Sequence, residues 1–79
     1  MELKGTRTEQ NLLAAFSGES MARNKYLFFA EKAKQEGHNE VAELFEKMAQ
    51  NEGVHGKLLY QRLKGVGSSA ANLQEAVMG

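Results

Sequence analysis

The sequence predicts an all-α protein: an antiparallel helical hairpin that is half of a four-helix bundle and is completed by dimerisation. Three observations carry this expectation. Apolar residues recur at alternating steps of three and four in two long stretches, the spacing that keeps side chains on one helix face. A short segment, Glu36-Gly37-His38-Asn39, separates the stretches, and a turn that short makes them antiparallel neighbours. The 79 residues contain no Pro to interrupt a helix and no Cys to staple a small fold. Two helices cover only one side of each apolar stripe, so a metal, a partner subunit or both must supply what disulfides cannot.

Taken in order, Met1 to Gly5 reads as an extended lead-in. Thr6-Arg7-Thr8-Glu9 has the capping-box pattern, with Thr6 as N-cap. The first helix is expected over residues 6–36, with Gly37 as the glycine that stops it. At 1.5 Å per residue, its roughly 30 residues span about 45 Å. Its stripe runs Leu12, Phe16, Glu19, Arg23, Tyr26, Ala30 and Ala33, and Ala14, Ala15, Ala22, Leu27, Phe28 and Phe29 widen the apolar face beyond what a hairpin uses. Asn39 is the expected N-cap of a second helix over residues 39–64, whose stripe is Val41, Phe45, Met48, Glu52, His55 and Leu59. Glu43 and Lys47 have the spacing of an i,i+4 ion pair. Phe16, Phe28, Phe29 and Phe45 are expected in the core, with Met48 as packing, whereas His38 is expected to be solvated in the turn. Gly53 and Gly56 each cost about 1 kcal/mol against Ala inside a helix. They mark either a tolerated weakness or the close approach of a neighbouring helix or ligand. Residues 65–69 form a flexible connector, and Ser68 or Ser69 caps a short third helix over residues 70–79.

Each stripe is interrupted by groups that do not belong in an apolar seam. Glu52 and His55, at i and i+3, point the same way from neighbouring turns. In an antiparallel hairpin, residues equidistant from the turn lie side by side. The midpoint of Glu19 and His55 is Gly37, and that of Glu19 and Glu52 falls between Gln35 and Glu36. All three therefore share one layer. Carboxylates and an imidazole inside a seam are costly unless paired, protonated or bound to a cation. The plainer alternative is a buried pair of Glu19 with Arg23 one turn on, which leaves Glu52 unanswered.

Composition narrows the field of functions. Ten basic residues balance ten acidic ones for a formal net charge of +0, so no basic excess exists to hold phosphates and no nucleic-acid partner is expected. No apolar run approaches a membrane span, and Met1 to Arg7 is too short and polar for a signal peptide, so no membrane partner is expected and the default compartment is cytoplasmic. The lack of Cys excludes thiolate zinc and Cys-ligated iron centres within these residues.

Asn72-Leu73-Gln74-Glu75-Ala76-Val77-Met78-Gly79 matches Asn11 to Gly18 at Asn, Leu, Ala and Gly, at an offset of 61. A repeated helical hairpin is the mark of a four-helix bundle built by duplication, with one copy complete here. The chain is then expected to be the front half of a longer protein or a half-protein that pairs with itself. Bundles that hold two irons take a lone Glu from each of two helices and Glu-x-x-His from each of the other two. One hairpin supplies Glu19 plus Glu52-x-x-His55, half of that set, and such ligands suit iron or manganese, with zinc possible.

The segments Leu3-Lys4-Gly5-Thr6, Asn11-Leu12, Gly18-Glu19-Ser20-Met21-Ala22-Arg23-Asn24-Lys25-Tyr26 and Asn51-Glu52-Gly53-Val54-His55-Gly56-Lys57 resemble the rubrerythrin family. The resemblance covers the first half of that family's ferritin-like domain. It implies that Glu19, Glu52 and His55 are iron ligands, two irons per bundle, and that Tyr26 lies close to the site in a catalytic role. It also implies reduction of hydrogen peroxide with electrons from a rubredoxin-like donor. This sequence departs from the pattern by lacking the second set of ligands and any Cys-rich domain. The site then depends on a homodimer or higher homo-oligomer, and electron supply on an external donor such as a rubredoxin. Two alternatives stand beside this reading. One is an iron-binding protein or ferroxidase that uses oxygen or peroxide, and the other is a structural hairpin whose metal site stays empty. Without ligands, Tyr26 would be an ordinary half-buried aromatic.

Overall fold

A computed structural model describes residues 3–63 and 65–79. The first two residues of the expected lead-in, and the expected end of the second helix at Lys64, lie outside the described residues. Three helices follow one another: α1 (Arg7–Gln35), α2 (Asn39–Arg62) and α3 (Ser69–Met78). Along its described length the chain is all-α, with α1 and α2 packed as a hairpin. No helix among the described residues is long and apolar enough to cross a membrane.

The start of α1 follows from Thr6. Its side-chain oxygen accepts the Glu9 N–H at 3.1 Å, as an N-cap must. The reciprocal half of the expected capping box is displaced by one residue: Glu9 accepts the N–H of Gly5 at 2.9 Å. The N–H of Thr6 is already taken, since it donates to the Leu3 carbonyl at 3.2 Å.

The turn is tighter than the sequence suggested. Gly37 adopts φ 80°, the left-handed conformation that closes a helix. The N–H of His38 donates to the Ala33 carbonyl at 2.8 Å, and that of Gly37 to Lys34 at 3.1 Å. These two bonds make a Schellman motif. The His38 carbonyl in turn accepts the N–H of Ala42 at 3.0 Å, the first bond of α2. His38, not Asn39, is therefore the N-cap, and it caps without a side-chain bond. One residue closes α1 and opens α2.

What packs between the helices is small. The buried apolar residues are Ala30 and Ala33 on α1 and Ala42 and Ala49 on α2, with Gly56 buried beside them. On α2 the buried positions Ala42, Ala49 and Gly56 recur every seven residues, so one narrow strip of α2 lies against α1. The expected stripe from Val41 to Leu59 lies to one side of that strip and is half-buried or exposed. Alanines and a glycine let the backbones come close, and the larger side chains are left at the rims.

This corrects the assignment of the phenylalanines. Phe16 and Phe45 are half-buried, but Phe29 is 44% and Phe28 66% exposed. Phe28 stands nine residues from Glu19, about half a turn out of phase, and so faces away from α2. The charge pairing also differs from expectation. Glu43 and Lys47 form no ion pair, and the exposed link across the hairpin is Lys34 Nζ to Glu46 Oε1 at 3.1 Å. Cross-helix geometry competes with i,i+4 spacing, and at this exposure either pair contributes little.

Ser68, one of the two expected caps, accepts the N–H of Ala71 at 3.2 Å and starts α3 one residue earlier than expected. Asn72 braces this start by bonding both the N–H and the carbonyl of Gly67. All of α3 is exposed, and it packs against neither α1 nor α2. The radius of gyration is 15.8 Å, well above the roughly 12 Å expected of a compact chain of this length.

A pair of glycine substitutions checks the account of the turn. Gly37→Ala should destabilise the hairpin by about 1–2 kcal/mol, the cost of a left-handed residue with a Cβ. Gly18→Ala, in open space on a regular helix, should stabilise it by up to about 1 kcal/mol. Urea unfolding of the metal-free protein, followed by circular dichroism, should move in opposite directions for the two.

Candidate metal centre

The hairpin brings Glu19 of α1 against Glu52 and His55 of α2. One ligand atom from each, two carboxylate oxygens and one imidazole nitrogen, lie within 4.8 Å of one another. Periodicity and the turn account for this meeting. Glu19 stands on the face of α1 that carries Ala30, and Glu52 and His55 stand on the rim of α2 beside its buried strip. Glu19 and Glu52 are half-buried and His55 is exposed, so the cluster sits on the open side of the hairpin.

The local chemistry favours a cation. Glu19 Oε2 is buried and has no hydrogen-bond partner. Its nearest charged or polar neighbour of note is His55 Nδ1 at 3.7 Å, which is beyond hydrogen-bonding distance. A buried acceptor left unsatisfied costs about 1–3 kcal/mol, and more when it is charged. A metal ion held among the three groups removes that cost and offsets the repulsion between two neighbouring carboxylates. Oxygen and imidazole ligands without sulfur suit iron, manganese or zinc. The residues present therefore fit the group the sequence pointed to, as a partial set: one chain contributes three ligands and leaves one side open.

Arg23 does not pair with Glu19 as the plainer alternative required. The only ion pairs among the described residues are Lys34–Glu46 and the His55–Glu19 contact. The Arg23 side chain instead crosses α2 at Gly53, with its Nε 3.4 Å from where a Cβ would stand. Gly56 lies beneath the Phe16 ring, whose nearest carbon would be 3.9 Å from an added Cβ. Both odd glycines thus sit where α1 crosses close to the ligand layer.

Tyr26 stands seven residues along α1 from Glu19. Its ring is stacked on Phe45 at 6.3 Å and meets Phe29 edge-on at 6.5 Å. Phe29 and Phe45 close the triangle at 5.3 Å. The Tyr26 hydroxyl makes no hydrogen bond to Glu19, Glu52 or any other described residue. On the other side of the ligand layer, Phe16 packs on Tyr60 at 4.9 Å. The cluster is thereby bracketed by two aromatic groups. Sequence reasoning missed the Phe16–Tyr60 pair, because Tyr60 lies outside the stripe that drew attention on α2.

Comparison with known proteins bears on the same residues. The family model described as rubrerythrin matches residues 10–78. The chain is 40% identical to the rubrerythrin of Porphyromonas gingivalis, over 98% of this chain and 45% of that protein. Against rubrerythrin-1 of Clostridium acetobutylicum it is 41% identical, over 94% of this chain and 38% of the relative. For the rubrerythrin of Nitratidesulfovibrio vulgaris the identity is 46%, over 80% and 33% respectively. The chain thus spans less than half the length of these curated relatives.

Removing ligands tests the centre directly. Glu52→Ala and His55→Ala should each weaken binding of ferrous or zinc ion by more than the roughly 10–100-fold typical of losing an outer-shell partner. Glu52→Ala should leave the metal-free protein at least as stable as the parent, because it relieves crowding of two carboxylates. Isothermal titration and thermal melts of the metal-free proteins read the two effects separately. Variants that bind as tightly as the parent would rule out this ligand assignment.

Proposed function

This chain belongs to the rubrerythrin family, and from that premise we propose that Glu19, Glu52 and His55 are half of a di-iron centre that reduces hydrogen peroxide. The observation that carries the reading is the buried, unpartnered oxygen of Glu19 facing an imidazole nitrogen and a second carboxylate. A second copy of the chain would complete the set, since two hairpins offer four carboxylates and two imidazoles, the count of a di-metal bundle.

The same assembly answers the exposed surface. Phe29 and, on the His55 side of α2, Val41 and Leu44 are 44%, 46% and 58% exposed, a larger apolar face than soluble monomers usually present. A second hairpin laid antiparallel on this face covers it and brings two ligand layers together.

When bound, a pair of ferrous ions supplies the two electrons that reduce one peroxide, with two protons, to two waters. The chain's own groups have separate tasks. Glu19 and Glu52 would hold the cations and neutralise their charge. His55 would contribute an imidazole nitrogen that fixes position. The Tyr26 hydroxyl, a donor without a partner among the described residues, is available to hydrogen-bond a ligand carboxylate or the substrate. The aromatic groups on either side of the layer would hold the two helices in place around it. Manganese would also suit the ligands, whereas zinc would fill the site without redox chemistry. Electrons would come from a donor outside these residues, such as a rubredoxin, because the 79 residues include no Cys with which to hold a thiolate-bound redox centre.

The same three ligands would also serve a second reading, an iron-binding protein or ferroxidase that oxidises ferrous ion and retains the product. The oxidant separates the two. Stopped-flow oxidation of the ferrous protein should be much faster with hydrogen peroxide than with oxygen, and should leave no ferric mineral. Faster reaction with oxygen, with many irons retained per assembly, would favour the ferroxidase.

Assembly has its own check. Sedimentation at micromolar concentration should find dimers or larger species as the main component. A compact, stable monomer would remove the basis for a shared centre.

A further inference from the structure

Gly53 and Gly56 remain unexplained by the usual reasons for glycine. Neither has positive φ, so backbone conformation does not demand it. Neither is forced by contact, since an added Cβ would meet only ordinary van der Waals neighbours, Arg23 at 3.4 Å and Phe16 at 3.9 Å. Glycine on two successive turns weakens a helix, and although Gly56 is buried against α1, a methyl group would be accommodated at either position. What the two positions do provide is room. A cavity of about 250 Å3, walled mainly by Phe16, Tyr60, Gly53 and Gly56, reaches Glu52.

Its direction matters. Gly53 and Lys57 are each two residues from His55 and therefore lie on the opposite flank of α2. The cavity opens on that flank, the outer groove between α1 and α2. Glu52 belongs both to the ligand cluster and to the wall of this gap, which lies on the flank away from the open seam at His55. A second hairpin on the seam would close the seam and leave the gap. The rim of the gap carries Arg23 and Lys57, and neither has an ion-pair partner among the described residues. Two positive charges at the mouth disfavour ferrous ion and are indifferent to neutral molecules.

We propose that the gap at Gly53 and Gly56 is the passage by which a small neutral oxidant, a peroxide or dioxygen, reaches the Glu52 side of the centre from the outer groove. This rests on the reading of the cluster as a redox metal site. The proposed event is passage alone, with no bond made or broken. The volume is several times the roughly 30 Å3 share of one water, so a compact alkyl hydroperoxide fits as well as hydrogen peroxide. Arg23, crossing at Gly53, narrows the mouth and sets the upper size.

The test is the double substitution Gly53→Ala, Gly56→Ala, which fills the gap with methyl groups the neighbours can accept. Its melting temperature and its zinc content should equal or exceed the parent's. Oxidation of its ferrous form by hydrogen peroxide should slow by about tenfold, equivalent to about 1.4 kcal/mol of added barrier. Arg23→Ala should instead speed oxidation by tert-butyl hydroperoxide relative to hydrogen peroxide.

A second readout does not depend on turnover. In the zinc-loaded parent, dissolved oxygen should enhance relaxation of the Glu52 and Phe16 amide protons above that of other helical amides. The double variant should lose that excess. If the parent does not react with peroxide, the functional reading fails, yet the oxygen experiment still decides the passage. Unchanged oxidation rates in a folded, metal-replete double variant would overturn the proposal. So would an absence of excess relaxation at Glu52 in the parent.

Discussion

The structure depends on how closely α1 and α2 approach, and small residues set that distance. The fully buried residues between them are Ala30 and Ala33 of α1 and Ala42, Ala49 and Gly56 of α2, and the larger side chains meet only at the margins of this strip. Close approach of this kind gives good geometry and little buried area, and hydrophobic stabilisation scales with area. The hairpin is therefore a positioning device more than a core. The larger apolar groups, displaced to the rims, line a face with no counterpart among the described residues. The ligands occupy that rim because the central strip has no room for them.

Much of this was legible in the sequence. Turn, helices and ligand layer follow from two rules, helical period and antiparallel pairing, and both act locally on Gly37, Glu19, Glu52 and His55. The side of α2 that meets α1 was not legible. A reading weighted towards large apolar residues selects Val41, Phe45 and Leu59, whereas close packing selected Ala42, Ala49 and Gly56. The heptad spacing of those three was present and is the signal that finds them. Phe28 misled because apolarity was taken for burial when its phase places it opposite the contact. His38 displaced Asn39 as N-cap because the Schellman motif fixes the backbone there whatever the side chain offers.

Several locally unfavourable features gather in one layer. A carboxylate oxygen is buried without a partner, two acidic side chains are neighbours, and two glycines weaken the helix beside them. Elsewhere the caps at Thr6 and Ser68 are satisfied, and among the described residues only glycines have positive φ. Conflict between local preference and observed structure, when confined to one place, is the pattern expected where residues are held for chemistry.

The shared residue at the turn has a consequence for the order of folding. Because His38 both ends α1 and begins α2, the connection has no slack, and pairing can only proceed outward from it. Contacts then close in sequence: the Tyr26, Phe29 and Phe45 triangle first, the ligand layer next, and the Phe16–Tyr60 pair last. Each step adds contacts beside ones already made, and such progressive zippering is fast for helical hairpins. Opening runs the same way in reverse. A cation held at the middle tier would be released once the free ends have parted, while the aromatic triangle still holds the turn together.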